Sequence, residues 1–520
     1  MADQATHVRK RADIRTLGAL RESGYRSVSV KDEMRRNLIR TLRSGHDLFE
    51  GVIGYDQTVV PQIENAILAR HDLILLGLRG QAKSRIIRQL PSLLDEYVPV
   101  LAGTELNDDP YAPISKRGRD LVEEAGDEAP IEWLHRSARY GEKLATPDTT
   151  IADLIGDIDP IKAASQRLTY ADEEVIHFGI IPRTNRGIFA INELPDLQPR
   201  IQVGLLNIME EQDIQIRGFN IRFPLDVMMV FSANPEDYTN RGNIITPLKD
   251  RIDSQIITHY PRTLDVGMEI TRQEAWEDRD DGDEPGVEVH IPHFFREMVE
   301  QVAFEARSSE YIDQKSGVSA RMTRAALEDM ISAAERRALL NEETETTVRT
   351  SDLAHIEPAV TGKVELVYEG EQEGAQNVAR LLIGRAVNAI FKKYFPDPSD
   401  KKEGRSPFQP VLAWFAEGNT VDIEPEMPFD EYVNALDAVD GLRELATERM
   451  DPSSPAETAS TMGFILEALH QNSLIGKELF EKAVTYNDMM GSMLSSLGPL
   501  SDDDTDDADD EDDDYYSRYG

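Results

Sequence analysis

The chain has 520 residues, no cysteine and a formal net charge of −40, too long for one hydrophobic core and consistent with roughly two to four domains. The lack of cysteine excludes disulfides, thiolate metal sites and cysteine nucleophiles, and no apolar run reaches the ~18 residues of a membrane span. The tail Asp502–Asp514 holds eleven acidic residues and accounts for −10 with Arg518, leaving −30 over the body, a surface that repels phosphate backbones and disfavours nucleic-acid partners.

The polar start Met1–His7 lacks the apolar stretch of a secretory signal, so a cytoplasmic protein without membrane insertion is expected. Residues 1–45 read as a helical extension in which Met34, Leu38 and Leu42 stand four apart on one face. A helix over Pro61–Arg70 precedes the apolar run Leu73–Leu76. That run breaks into Gly77-Leu78-Arg79-Gly80-Gln81-Ala82-Lys83-Ser84, and a helix over Arg85–Leu90 follows. Strand, glycine-containing turn, Lys-Ser and helix are the context that a phosphate-binding P-loop requires. The loop N–H groups and the helix start can hold phosphate oxygens, Lys83 adds a point charge, and Ser84 is placed to ligate Mg²⁺. Ala82 stands where glycine is usual.

Residues 95–180 read as mixed and polar, with turn signals at Asp108-Asp109-Pro110 and Gly126-Asp127. The run Ile188–Ile191 ends in Asn192-Glu193, a buried strand delivering a carboxylate that can polarise water beside a γ-phosphate. A helix over Gln198–Glu211 and an alternating segment Ile214–Phe223, predicted as a hairpin turning at Arg217-Gly218-Phe219-Asn220, come next. A third strand, Val227–Ala233, delivers Asn234, whose amide can orient an attacking water. Arg251 follows a short helix, from which it can act on a neighbouring subunit's nucleotide. Beyond Pro261 helices are predicted over 293–308, 321–341, 374–395, 428–450, 454–471 and 477–494, with a short strand at Lys363–Tyr368. The acidic tail is disordered by composition. Ten histidines in no ligand spacing leave Mg²⁺ as the metal to expect.

Taken in order, the P-loop, Asn192-Glu193, Ser232-Ala233-Asn234-Pro235, Asp250-Arg251-Ile252-Asp253 and Ser319-Ala320-Arg321 resemble an AAA+ ATPase. The likeness extends to the magnesium chelatase I subunit and its MoxR-like relatives through Ala145-Thr146-Pro147-Asp148 with Gly156-Asp157-Ile158-Asp159, Ile181-Pro182-Arg183-Thr184-Asn185-Arg186-Gly187, and Leu248-Lys249-Asp250-Arg251-Ile252. It covers roughly residues 46–345. The resemblance implies an α/β AAA+ P-loop NTPase core, a parallel sheet with flanking helices, over 46–262. A helical lid over 263–345, a mostly helical region over 346–500 and a disordered tail over 501–520 would follow.

By the same resemblance Gly77, Leu78, Arg79, Gly80, Gln81, Ala82, Lys83 and Ser84 bind ATP, with Lys83 on the phosphates. Ser84 and Asn192 face Mg²⁺, Glu193 activates water, Asn234 is the first sensor, Arg251 the finger and Arg321 the second sensor. The family works as rings, usually hexameric, often on a partner with a von Willebrand A domain. Asn192 departs from the family aspartate and removes a charge from the Mg²⁺ site. The first reading is therefore an ATP-driven remodelling motor. The alternatives are a nucleotide-gated scaffold with little hydrolysis, a true magnesium chelatase subunit, and a DNA translocase like the minichromosome-maintenance helicases, which the acidity disfavours.

Overall fold

The computed structural model describes residues 13–159, 173–211, 213–216, 222–235, 243–279, 286–398, 406–480 and 483–489. These fall into two compact units. The first is built from described residues within Met1–Glu277, Val299–Glu328 and Glu357–Ala379, the second from those within Asp278–Met298, Asp329–Ile356 and Arg380–Gly520.

Five strands make the central sheet of the first unit: β1 (Leu73–Leu76), β2 (Tyr140–Leu144), β3 (Gly187–Asn192), β4 (Val227–Ala233) and β5 (Ser254–Ile257). All pair in parallel, in the order β5-β1-β4-β3-β2. Successive side chains alternate between faces. Leu73, Leu75, Ile188, Ala190, Met228, Val230 and Ile256 enter one apolar cluster, while Ile74, Phe189, Ile191, Met229 and Phe231 enter another. A strand covered on both faces reads as an unbroken apolar run, which is how β1, β3 and β4 appear in the sequence.

Three helices cover the first face: α1 (Val30–Ser44), α2 (Val59–Leu68) and α3 (Lys83–Gln89). They contribute Val30, Met34, Leu38, Ile63, Ile67, Ile86 and Ile87. Leu42 departs from the predicted face and is 44% exposed. Each step of four residues overshoots a turn by about 40°, so the third residue of such a row rotates out of the contact. Helix α4 (Pro199–Glu211) covers the opposite face with Ile201, Leu205 and Ile208. Helices α5 (Thr246–Arg251), α6 (Leu264–Glu274), α7 (His293–Ser308) and α8 (Arg321–Leu340) continue the chain.

The polar stretch 95–180 is more structured than its composition suggests. It contains β2, an antiparallel pair Tyr97–Leu101 with Ile131–His135, a second pair Gly156–Ile158 with Ile176–Phe178, and a helix Lys116–Ala125. The predicted hairpin forms between Asp213–Gln215 and Arg222–Pro224; its turn, with Arg217, lies outside the described residues, as does the acidic tail.

Three predictions need correction. Lys363–Tyr368 is not a strand: Leu366 makes an isolated bridge to Ile312, and a helix Tyr368–Glu373 begins there. The helix over 428–450 is two helices, Phe429–Asp437 and Leu442–Met450, parted at Gly441, whose φ of +79° interrupts helical geometry. In place of a helix from 477, Gly476–Phe480 and Ala483–Asn487 form an antiparallel pair joined by Val421–Ile423. The β-branched and aromatic run Val484-Thr485-Tyr486 favours the strand. Tyr486 is buried there, donating to Glu467 Oε2 at 2.8 Å, and Lys477 Nζ reaches the same oxygen at 2.7 Å. Helices Ala375–Tyr394 and Pro455–Gln471 form as predicted. Among the described residues no helix is long and apolar enough to cross a membrane.

Candidate functional site

Strand β1 delivers Gly77 to Ser84 at its C-terminal end. A Cβ at Gly77 would lie 1.8 Å from Thr258 Oγ1 and 2.2 Å from Gln81 Oε1, two atoms that bond each other at 2.7 Å. Gly80 has φ +77°, and a Cβ there would meet Ser319 Oγ at 2.2 Å. Ala82 has φ 56°, the left-handed region. This is why glycine is usual at that position; the conformation costs an alanine about 1–2 kcal/mol.

The loop is braced from β5 and the segment after it. Tyr55 Oη donates to His259 O at 2.7 Å and lies 3.1 Å from Gln81 O, and burial pushes its pKa up to about 12, which keeps it a donor. Tyr260 Oη donates to Arg79 O at 2.9 Å. Buried Lys83 donates from Nζ to Gly77 O, to Leu78 O at 3.0 Å and to Asn234 Oδ1 at 2.8 Å. The loop lysine and the amide at the end of β4 therefore meet at one point. Ser84, in the first turn of α3, is exposed.

The end of β3 lies beside them. Asn192 is 8% exposed; its Oδ1 accepts from Ser232 Oγ at 3.0 Å and its Nδ2 donates to Glu142 Oε1 at 2.6 Å. Glu193 sits at φ 54°, a left-handed kink that ends the strand and turns the next residues away. On the other side, Ser319 and Ala320 pack against Gly80, and Arg321 begins α8 with its N–H on Ser319 Oγ at 3.1 Å. The Arg321 side chain is exposed. Arg251 is directed elsewhere: its guanidinium pairs with Glu210 on α4 and donates to Pro247 O at 2.9 Å.

The structure thus brings Lys83 onto Asn234, sets Asn192 and Glu193 beside Ser232, and sets the start of α8 on the loop. The residues that escaped the sequence reading are Glu142, Ser232, Tyr55, Thr258 and Tyr260. Ser232 stands inside a quoted motif, but its pairing with Asn192 follows from the order of the strands, which the sequence does not show. Glu142 lay within a polar stretch whose strand went unseen.

A bound phosphate fits this loop. Backbone is bare where a Cβ would clash, the Lys83 charge sits in the loop, and the Ser84 hydroxyl is open at its rim. A divalent cation fits too, with neutral oxygens from Ser84 and Asn192 and negative charge from Glu193 and Glu142. Among the described residues no group of three or more His, Asp or Glu gathers as a protein-only metal site.

No family model matches the chain. A stretch of 171 residues, 30% of this chain, is 27% identical to the archaeal Lon protease of Thermococcus kodakarensis and covers 25% of it. The chain thus spans about a quarter of that relative's length. Among solved structures, NtrX from Brucella abortus in complex with ATP is similar at 14% identity and a TM-score of 0.38, over 76% of this chain and 70% of that one. A chain of the complex between the BchI and BchD subunits of magnesium chelatase is similar at 18% identity and a TM-score of 0.31, over 62% and 98%. At such scores the fold rests on this chain's own sheet order and motifs. Those give a parallel α/β sheet with a glycine-containing Lys-Ser loop at the end of β1, an arrangement that resembles the P-loop core of AAA+ ATPases, followed by a mostly helical C-terminal region. Within that class the chain resembles the magnesium chelatase I subunit and MoxR-like ATPases.

Proposed function

We propose that the protein is an ATP-binding, Mg²⁺-dependent ATPase of the AAA+ type that assembles as a ring, hexameric by the family resemblance, and remodels a protein partner. A partner carrying a von Willebrand A domain is the kind that the resemblance suggests. The observation that carries this reading is the 2.8 Å bond between Lys83 Nζ and Asn234 Oδ1 inside a loop built around bare backbone at Gly77 and Gly80.

In this reading the loop N–H groups and Lys83 bind the phosphates. Bound Mg²⁺ would neutralise developing phosphate charge, held through Ser84 and the end of β3. Glu193 takes the proton of the attacking water and Asn234 orients that water. Arg321, at the start of a helix whose approach touches Gly80, reaches the phosphates from the same subunit. Arg251, paired within its own subunit to Glu210, serves the nucleotide of the next subunit.

A second reading, a nucleotide-gated scaffold that barely hydrolyses ATP, is favoured by Asn192. Steady-state Mg·ATP hydrolysis at several protein concentrations decides between them. The motor requires turnover that rises with concentration and falls about 100-fold or more in Glu193→Gln, the scale of a lost general base. ATP binding with turnover no higher than Glu193→Gln establishes the scaffold instead.

A further inference from the structure

With Asn192 at its end, β3 lacks the negative charge that an aspartate would place there. The neighbouring strand supplies one. In the parallel register Leu144 stands opposite Asn192 and Glu142 opposite Ala190, so Glu142 lies one step back on the same face of the sheet. Its Oε1 accepts Asn192 Nδ2–H at 2.6 Å. An ionised carboxylate only accepts, so the amide nitrogen must turn to Glu142. The amide oxygen is then left on the opposite side, where Ser232 Oγ donates to it at 3.0 Å. A flip would set the amide oxygen against the carboxylate and lose the bond to Glu142.

Glu142 is itself fixed. Arg88 grips it with Nε and Nη2, both at 3.0 Å, and Tyr140 Oη donates to it at 3.1 Å. Burial pushes its pKa up, but the bonds from Arg88, Tyr140 and Asn192 outweigh that and hold it below the usual carboxylate value. Arg88 belongs to α3, the helix that begins with Lys83 and Ser84, so this chain of bonds ties β2 and β3 to the element that carries the phosphate loop.

We propose that Glu142 is a positioning residue for the metal of a bound Mg·ATP. It fixes the Asn192 amide so that Oδ1, which accepts from Ser232 and keeps a second lone pair, is the atom left for the metal's water shell. It also sets a carboxylate, shared with Arg88, one step from where an aspartate at 192 would stand. The assignment rests on the nucleotide reading above. It makes Glu142 and Asn192 a transposed pair, with the charge on β2 and the amide on β3. Asn192→Asp alone then sets two carboxylates against each other. Asn192→Asp with Glu142→Gln exchanges the roles and keeps one charge and one amide.

The test uses the full chain, a fluorescent ATP analogue and Mn²⁺ followed by electron paramagnetic resonance. Glu142→Gln is expected to leave analogue affinity in EDTA unchanged and to weaken Mn²⁺ binding to the nucleotide complex about tenfold, as loss of an outer partner of a metal ligand does. The double variant is expected to recover most of that loss. Both variants lose the ion pair to Arg88, and their thermal midpoints report it, so recovery separates metal positioning from mere stability. Wild-type Mn²⁺ affinity in Glu142→Gln, or a double variant no better than Glu142→Gln, overturns the assignment while the nucleotide reading stands. Wild-type protein that binds no analogue with or without metal overturns both.

Discussion

Ala82 takes the phosphate loop through a left-handed turn with a Cβ that glycine would not carry. Ala82→Gly relieves that strain but gains freedom in the unfolded chain, so a net stabilisation of up to about 1 kcal/mol is expected. It would be read as a higher urea midpoint at unchanged slope. Asp226 shows a cost of a different kind. Its carboxylate accepts the Val30 N–H at 2.9 Å, yet burial pushes its pKa from 3.8 up to about 6. The folded state therefore binds this proton more tightly than the unfolded state does. Its contribution to stability is full below about pH 4 and is lost as pH rises toward 6. Asp226→Asn should remove that loss, gaining on the wild type by an amount on the order of 3 kcal/mol between pH 4 and pH 7. Unfolding free energies at the two pH values check it.

At the scale of elements, α1 is fastened by a buried ion pair. Arg139 and Glu33, 1% and 3% exposed, meet through two bonds of 2.8 and 2.6 Å, and Arg139 Nε also donates to Arg186 O at 2.7 Å. Arg139→Ala leaves Glu33 charged and buried, and a loss of about 3–5 kcal/mol is expected. Arg336→Ala, which breaks an exposed pair with Glu426, should cost under about 1 kcal/mol in the same denaturation experiment. Burial also explains what could be read from the sequence. β1, β3 and β4, covered on both faces, announce themselves as apolar runs, and their terminal residues Gly77, Asn192 and Asn234 come with them. β2 is an edge strand of sequence Tyr-Gly-Glu-Lys-Leu. Its Gly141 is small because a Cβ would lie 2.4 Å from Thr184 Oγ1, and its Leu144 is 55% exposed. Nothing in that pattern announces a strand, and Glu142 stayed hidden with it. The segment from 477 fails for a different reason: Phe480 and Val484, four apart, fit a helical spacing, while Val484 and Tyr486 alternate as in a strand, and the partners Glu467 and Lys477 decide it.

For the whole molecule, the placement of Arg251 gives the sharpest expectation of the ring reading. If its guanidinium serves the next subunit, Arg251→Ala and Glu193→Gln proteins, each inactive alone, should regain turnover when mixed. Some interfaces would then join an intact Glu193 to an intact Arg251. A mixture no more active than its components would exclude action in trans. The order of the sheet carries a consequence in time as well as in space. β1 and β4 are each paired on both sides, whereas β2 is paired to β3 alone. Backbone amides of β1 and β4 should exchange with deuterium only when the unit opens as a whole, and those of β2 at a lower opening free energy. Lys83 and Asn234 are thus anchored to the slowest-opening part of the sheet, while Glu142 stands on a strand that can peel away first. The charge beside Asn192 would then be the part of the site most readily withdrawn.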